Sequence, residues 1–129
     1  MGYYFSRKLD RPFDEVVQRT RKALQLAGFG VISEIDVAAT LKAKLGLDFH
    51  PYLILGACNP TLAHEALKLE NKVGTMLPCN VVIQTEPGGA VVEVAAIDPA
   101  ASMQAIPNPA LAEVAKTVGE KLRSVVDTL

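Results

Sequence analysis

At 129 residues, half of them hydrophobic and 21% charged, the chain has the make-up of one compact folded domain, 1–129, and not of a disordered segment. A net charge of −1 and the lack of any basic run exclude an electrostatic footprint for nucleic acid. No stretch approaches the roughly 18 apolar residues of a membrane helix and no secretory signal pattern opens the chain, so a cytoplasmic protein with reduced thiols and no membrane partner is expected.

Tyr3-Tyr4-Phe5-Ser6-Arg7-Lys8 is rich in strand formers and predicts a first strand, broken at Asp10-Arg11-Pro12. Phe13, Val16, Val17, Thr20, Leu24 and Ala27 then recur at helical spacing, with Glu15, Gln18, Arg19 and Lys22 on the other side. Gly28 is a left-handed stop for that helix. Gly30 to Ile35 predicts a second strand. Asp36 caps a short helix that carries Val37, Leu41 and Leu45 on one side and stops at Gly46.

After a loop at Asp48-Phe49-His50-Pro51, Tyr52 to Ala57 is apolar without alternation. A strand of that kind is buried on both faces, which makes it the expected centre of the sheet. Asn59-Pro60 is a helix start, asparagine as cap and proline in the first turn. Leu62, Ala63, Ala66 and Leu67 face inward, His64, Glu65, Lys68 and Lys72 face water, and Gly74 ends the segment. Val81 to Glu86, the turn Pro87-Gly88-Gly89 and Ala90 to Ile97 predict a tight antiparallel hairpin. Asp98-Pro99 closes it, and Ala100 to Pro107 is a loop with Met103 and Ile106 as anchors. Asn108-Pro109 starts a long amphipathic helix through Leu111, Val114, Val118, Leu122, Val125 and Val126. The mixed order with one plain hairpin predicts an α+β domain, a largely antiparallel sheet with helices on one face.

Both cysteines stand directly before an asparagine at a junction between elements. Cys58 follows the third strand and precedes a helix N-terminus. The helix dipole there favours an anion, an environment that activates a thiol as nucleophile or ligand. The plainer account is a small buried hydrophobe at a strand end. Cys79 opens a strand with no base beside it in sequence. It stands too far from Cys58 for a Cys-x-x-Cys redox or zinc motif, although the two can meet if their strands are neighbours. His50 lies at the far end of the strand from Cys58, roughly 20 Å away, which argues against a dyad. His64 faces water, so a four-ligand zinc site is disfavoured and no metal ligand is assigned. Asn59 and Asn80 have plain roles as a cap and a turn former, and Asp98 as a turn residue or a cleft acid. No phosphate loop, dinucleotide fingerprint or hydrolase motif is present.

The stretches Gly56-Ala57-Cys58-Asn59-Pro60, Ala66-Leu67 and Leu77-Pro78-Cys79-Asn80-Val81 resemble a bacterial and archaeal family, domain of unknown function 302. Lys42-x-Lys44-Leu45-Gly46, Tyr52-x-Ile54 and Asp98-Pro99 extend the resemblance over nearly the whole chain. It implies a fold similar to the TATA-box-binding-protein-like architecture, a curved antiparallel sheet with helices against one face, and pairing into homodimers. It implies no activity and no cofactor. DNA binding does not carry over, because function belongs to sites and this chain lacks a basic saddle.

The resulting expectation is a small molecule bound, or a thiol-dependent step carried, near Cys58 and Cys79. Cys58 would be the thiolate and Cys79 a partner or second ligand, with Asn59 and Asn80 as positioning groups and Asp98 and Lys44 completing the site. Whether the protein is an enzyme stays open. The alternatives are a non-catalytic homo-oligomeric module whose cysteines only pack, and a metal or sulfur carrier.

Overall fold

The computed structural model describes residues 2–129. Five strands, β1 (Tyr4–Leu9), β2 (Gly30–Asp36), β3 (Tyr52–Cys58), β4 (Cys79–Thr85) and β5 (Val92–Ile97), form one open antiparallel sheet in the order β1-β5-β4-β3-β2. The helices are α1 (Phe13–Leu26), α2 (Val37–Leu45), α3 (Pro60–Leu69), the one-turn α4 (Pro99–Ser102) and α5 (Pro109–Asp127), with a 3-10 turn at Val73–Met76. The fold is α+β, as the order of elements predicts.

Alternation along the strands sends Leu53, Leu55 and Ala57, Cys79, Val81 and Ile83, and Val92, Val94 and Ala96 to one face. Val16, Val17 and Leu24 of α1 and Leu122, Val125 and Val126 of α5 bury against them. Each such aliphatic side chain contributes roughly 1.5–3 kcal/mol when fully buried, so this layer holds the domain together. Thr20, the buried polar residue of α1, donates its hydroxyl to the Val16 carbonyl at 2.8 Å and is satisfied within its own helix. A second, smaller core lies under α3: Ala66, Val73, Met103, Leu111 and Ala115.

The helix starts follow the local chemistry. The side chains of Asp36, Asn59 and Asn108 each accept a hydrogen bond from a backbone N–H in the first turn of the helix they precede. The hairpin forms at its expected place, with Gly88 and Gly89 at φ of +103° and +77°, values that favour glycine.

Three expectations change. Tyr52 to Ala57 is not the central strand; β4 is, and β3 runs between β4 and β2. Tyr52 and Ile54 are only half-buried, because they point to the sheet face that no helix covers. Helix α3 stops at Leu69, short of Gly74. Glu70 adopts an extended backbone, and Asn108 Nδ2 donates to the Leu69 carbonyl at 3.2 Å, tying the end of α3 to the start of α5. The loop after the hairpin opens with α4, since Asp98 Oδ1 accepts from the Ala100 N–H at 3.0 Å.

Candidate functional site

The two cores do not merge. Helix α5 crosses from one to the other, placing Leu111 and Ala115 in the smaller core and Leu122, Val125 and Val126 in the larger. Where they step apart lies a cavity of about 290 Å³. Alanines face it from several sides: Ala57 of β3, Ala63 and Ala66 of α3, and Ala115 of α5. Short side chains converging from three elements leave space that close packing would otherwise fill.

Cys58, Asn59 and Cys79 all line this cavity. The register explains why. Ala57 pairs with Cys79 across β3 and β4, so Cys58 stands one position beyond that pair, opposite Pro78. Both thiols are free; Cys58 is half-buried and Cys79 is buried. A bulge in β2 shapes the mouth. Val31 pairs with Ala57 and Ser33 with Gly56, which leaves Ile32 as the extra residue. Bulges re-aim side chains, and Ile32, 65% exposed, stands at the rim. Leu67 of α3, 42% exposed, forms the rim on the helix side.

Burial pushes the Cys79 thiol up to about 11 from its ordinary 9.0, and the charge of the neighbouring Cys58 adds to the rise. Cys79 is therefore a neutral thiol at physiological pH and behaves as part of the hydrophobic wall. The unfolded thiol ionises from pH 9.0 upward while the folded one keeps its proton. Its contribution to stability is thus complete below pH 9.0 and is lost as pH climbs towards about 11. Denaturation curves across that range should show wild type losing on the order of 2 kcal/mol more than Cys79→Ala. Parallel losses in the two proteins would contradict the neutral, buried thiol.

The other residues singled out from the sequence fall in different places. Asn59 caps α3, its Oδ1 accepting from the Leu62 N–H at 3.1 Å. Asn80 is exposed on the opposite sheet face, beside Tyr52, Val82 and Gln84, because the residue after Cys79 in a strand must point the other way. Asp98 is occupied as the cap of α4; its neighbour Pro99 reaches the cavity wall and Asp98 does not. Lys44 is exposed on α2, which follows the Asp36 end of β2. That end pairs with Leu53, whereas Cys58 pairs with Gly30 at the other end, so Lys44 is off the wall. His50 Nε2 lies 3.0 Å from Gln84 Oε1 at the start of β3, and His64 is exposed on α3. Among the described residues no three His, Cys, Asp or Glu side chains are grouped to hold a metal ion, and no helix is long and apolar enough to cross a membrane.

The paired Cys-Asn motifs mark the junction at which this cavity lies. They did not disclose Ile32, Leu67, Val114 or Ala115, which complete the wall. The spacing of Ala63 and Ala66, three apart on one side of α3, was the available signal for a helix face too small to fill its contact.

A solved structure with the same architecture is the crystal structure of an uncharacterized conserved DUF302 protein from Bacillus stearothermophilus. It is 30% identical, 98% of each chain is covered, and the TM-score is 0.90. No curated protein matches the chain. The family model for "Domain of unknown function DUF302" matches residues 5–129, which spans every strand and helix but the first residue of β1. The chain belongs to the DUF302 family.

Proposed function

We propose that the protein binds a small molecule in the cavity between the β3–β4 ends, α3 and α5, with the Cys58 thiol on its wall. One observation carries this reading: a pocket of about 290 Å³, open to solvent at the Ile32–Leu67 rim, reaches both cysteines of the chain. That volume sits at the low end of small-molecule sites, which run from about 300 to 1,000 Å³ and are mostly apolar with a few polar groups. The difference in burial between the thiols assigns Cys58 as the one a ligand or reagent reaches, with Cys79 as wall. Two free thiols fit a reducing compartment such as the cytoplasm.

Native mass spectrometry of the untagged protein as purified, followed by iodoacetamide labelling, tests the reading. Cys58 should alkylate in the folded protein and Cys79 only after unfolding. A bound molecule should appear as stoichiometric extra mass and slow the Cys58 reaction. Equal, slow labelling of both thiols with no associated mass would favour cysteines that serve packing alone.

A second proposal concerns the sheet face that no helix covers. It presents Tyr4, Ile35 and the half-buried Ile54, Val82 and Ala95. We propose that two copies pair through this face. Sedimentation at micromolar concentration should report twice the 13.8 kDa chain mass, and Ile54→Glu should shift the protein to monomer. A monomeric wild type would end the proposal.

A further inference from the structure

The wall chemistry restricts what the cavity can hold. No Lys, Arg, His, Asp or Glu side chain is among its lining residues. Apart from the two thiols, Asn59 is the one lining residue with a hydrogen-bonding side chain; its Oδ1 accepts from the Leu62 N–H, so its Nδ2 is the single neutral donor it offers a ligand oxygen. Cys79 holds its proton and offers no anion. The rim is apolar as well, formed by Ile32 and Leu67. A charged group drawn in among the apolar wall residues would lose its hydration and meet no counter-ion, which disfavours it against a neutral group of the same shape.

Size adds a second restriction. An apolar cavity of roughly 150 Å³ lined by aliphatic side chains stays dry and takes up benzene. The space here, about 290 Å³, is close to twice that. A molecule of about ten carbons therefore fits it, by the same comparison.

We propose that the site takes a neutral hydrophobic molecule of about ten carbons, cyclic or branched or a short chain, carrying at most one uncharged oxygen such as a ketone. The inference rests on the small-molecule reading above and specifies its ligand. The apolar body lies between Ala57, Ala63, Ala115 and Met103, and the oxygen end lies towards the rim. The anionic relatives of such a molecule are disfavoured for lack of a partner charge.

Matched pairs of probes test this. Camphor and camphorsulfonate share one skeleton and differ by a charge; 2-decanone and decanoate do the same for a chain. Titrations followed by methionine-methyl NMR should move the Met103 signal, which belongs to a residue on the wall, and leave that of Met76, which is not on it, unmoved. At least one neutral probe should bind, and its charged relative should bind at least about tenfold more weakly. Ala63→Phe, at a half-buried position facing the cavity, should abolish binding, and Ala115→Leu should do the same from α5. A thermal melt with each variant shows that it is folded, and Ala63→Phe carries the test if the more buried Ala115→Leu is not.

Equal binding of the charged probes at Met103 would overturn the proposed ligand class and leave the small-molecule reading standing. Failure of all four probes would also overturn the class, and native mass spectrometry then separates the two ideas. A co-purifying small molecule would keep the binding function with different ligand chemistry, and its absence would count against both. Binding that survives Ala63→Phe in a folded protein would place the ligand elsewhere and overturn the assignment.

Discussion

Leu55→Ala should destabilise the protein by about 2–5 kcal/mol, read as a lowered denaturation midpoint at unchanged slope. Leu55 is fully buried in β3, paired with Val81 of the central strand. Truncation removes transfer energy and leaves a hole that the sheet cannot close. For a domain whose total stability is about 5–15 kcal/mol, that is a large share. The adjacent Ile54 is half-buried on the other face, so Ile54→Ala should cost the monomer under about 1 kcal/mol. The pair separates the two faces with one methodology. If Ile54→Ala costs as much as Leu55→Ala, the supposedly open face is covered, and a concentration-dependent midpoint would identify a second copy as the cover. Equal small effects would contradict the core described above.

Gly56→Ala should cost about 1–3 kcal/mol although it adds a single methyl group. A Cβ at Gly56 would overlap Ser33 Oγ and come within 2.7 Å of Pro78 Cγ. Ser33 can rotate its hydroxyl away, but the proline ring has no comparable freedom. Pro78 also belongs to the cavity wall, so its displacement should change the alkylation rate of Cys58 in the folded variant. The double variant Ser33→Ala/Gly56→Ala separates the two contacts. It should recover only part of the loss, because the Pro78 contact remains. Full recovery would show that the hydroxyl alone was the obstacle, and no loss in the single variant would show that the ring moves freely.

These two positions also show how differently the sheet's two faces constrain the chain. On the helix face, the constraint is volume to be filled. Around Gly56 it is backbone brought close to a neighbouring ring. The cavity lies where the first constraint relaxes, between a large core under α1 and α5 and a small one under α3. Local relaxation of packing is costly in stability, and binding sites are where such a cost is commonly met.

The sequence by itself determined the elements and most of their ends. Asn59 and Asn108 before proline, Asp36 before an apolar stretch, and Pro87-Gly88-Gly89 between strand formers each act through contacts within a few residues, so each is legible locally. It also placed Cys58 and Cys79 at junctions. Tertiary structure decided the rest. The strand order moved the centre of the sheet from β3 to β4. The pleat put Cys79 on the cavity side and Asn80 on the opposite face. Lys44 and Asp98 resemble site residues in sequence, yet pairing register carries one to the far end of the sheet and capping occupies the other. The cavity itself is the volume left between side chains from Phe29 to Val118, far apart in the chain. A shape defined by what several distant elements fail to fill has no local signature, and only their packing brings it into being.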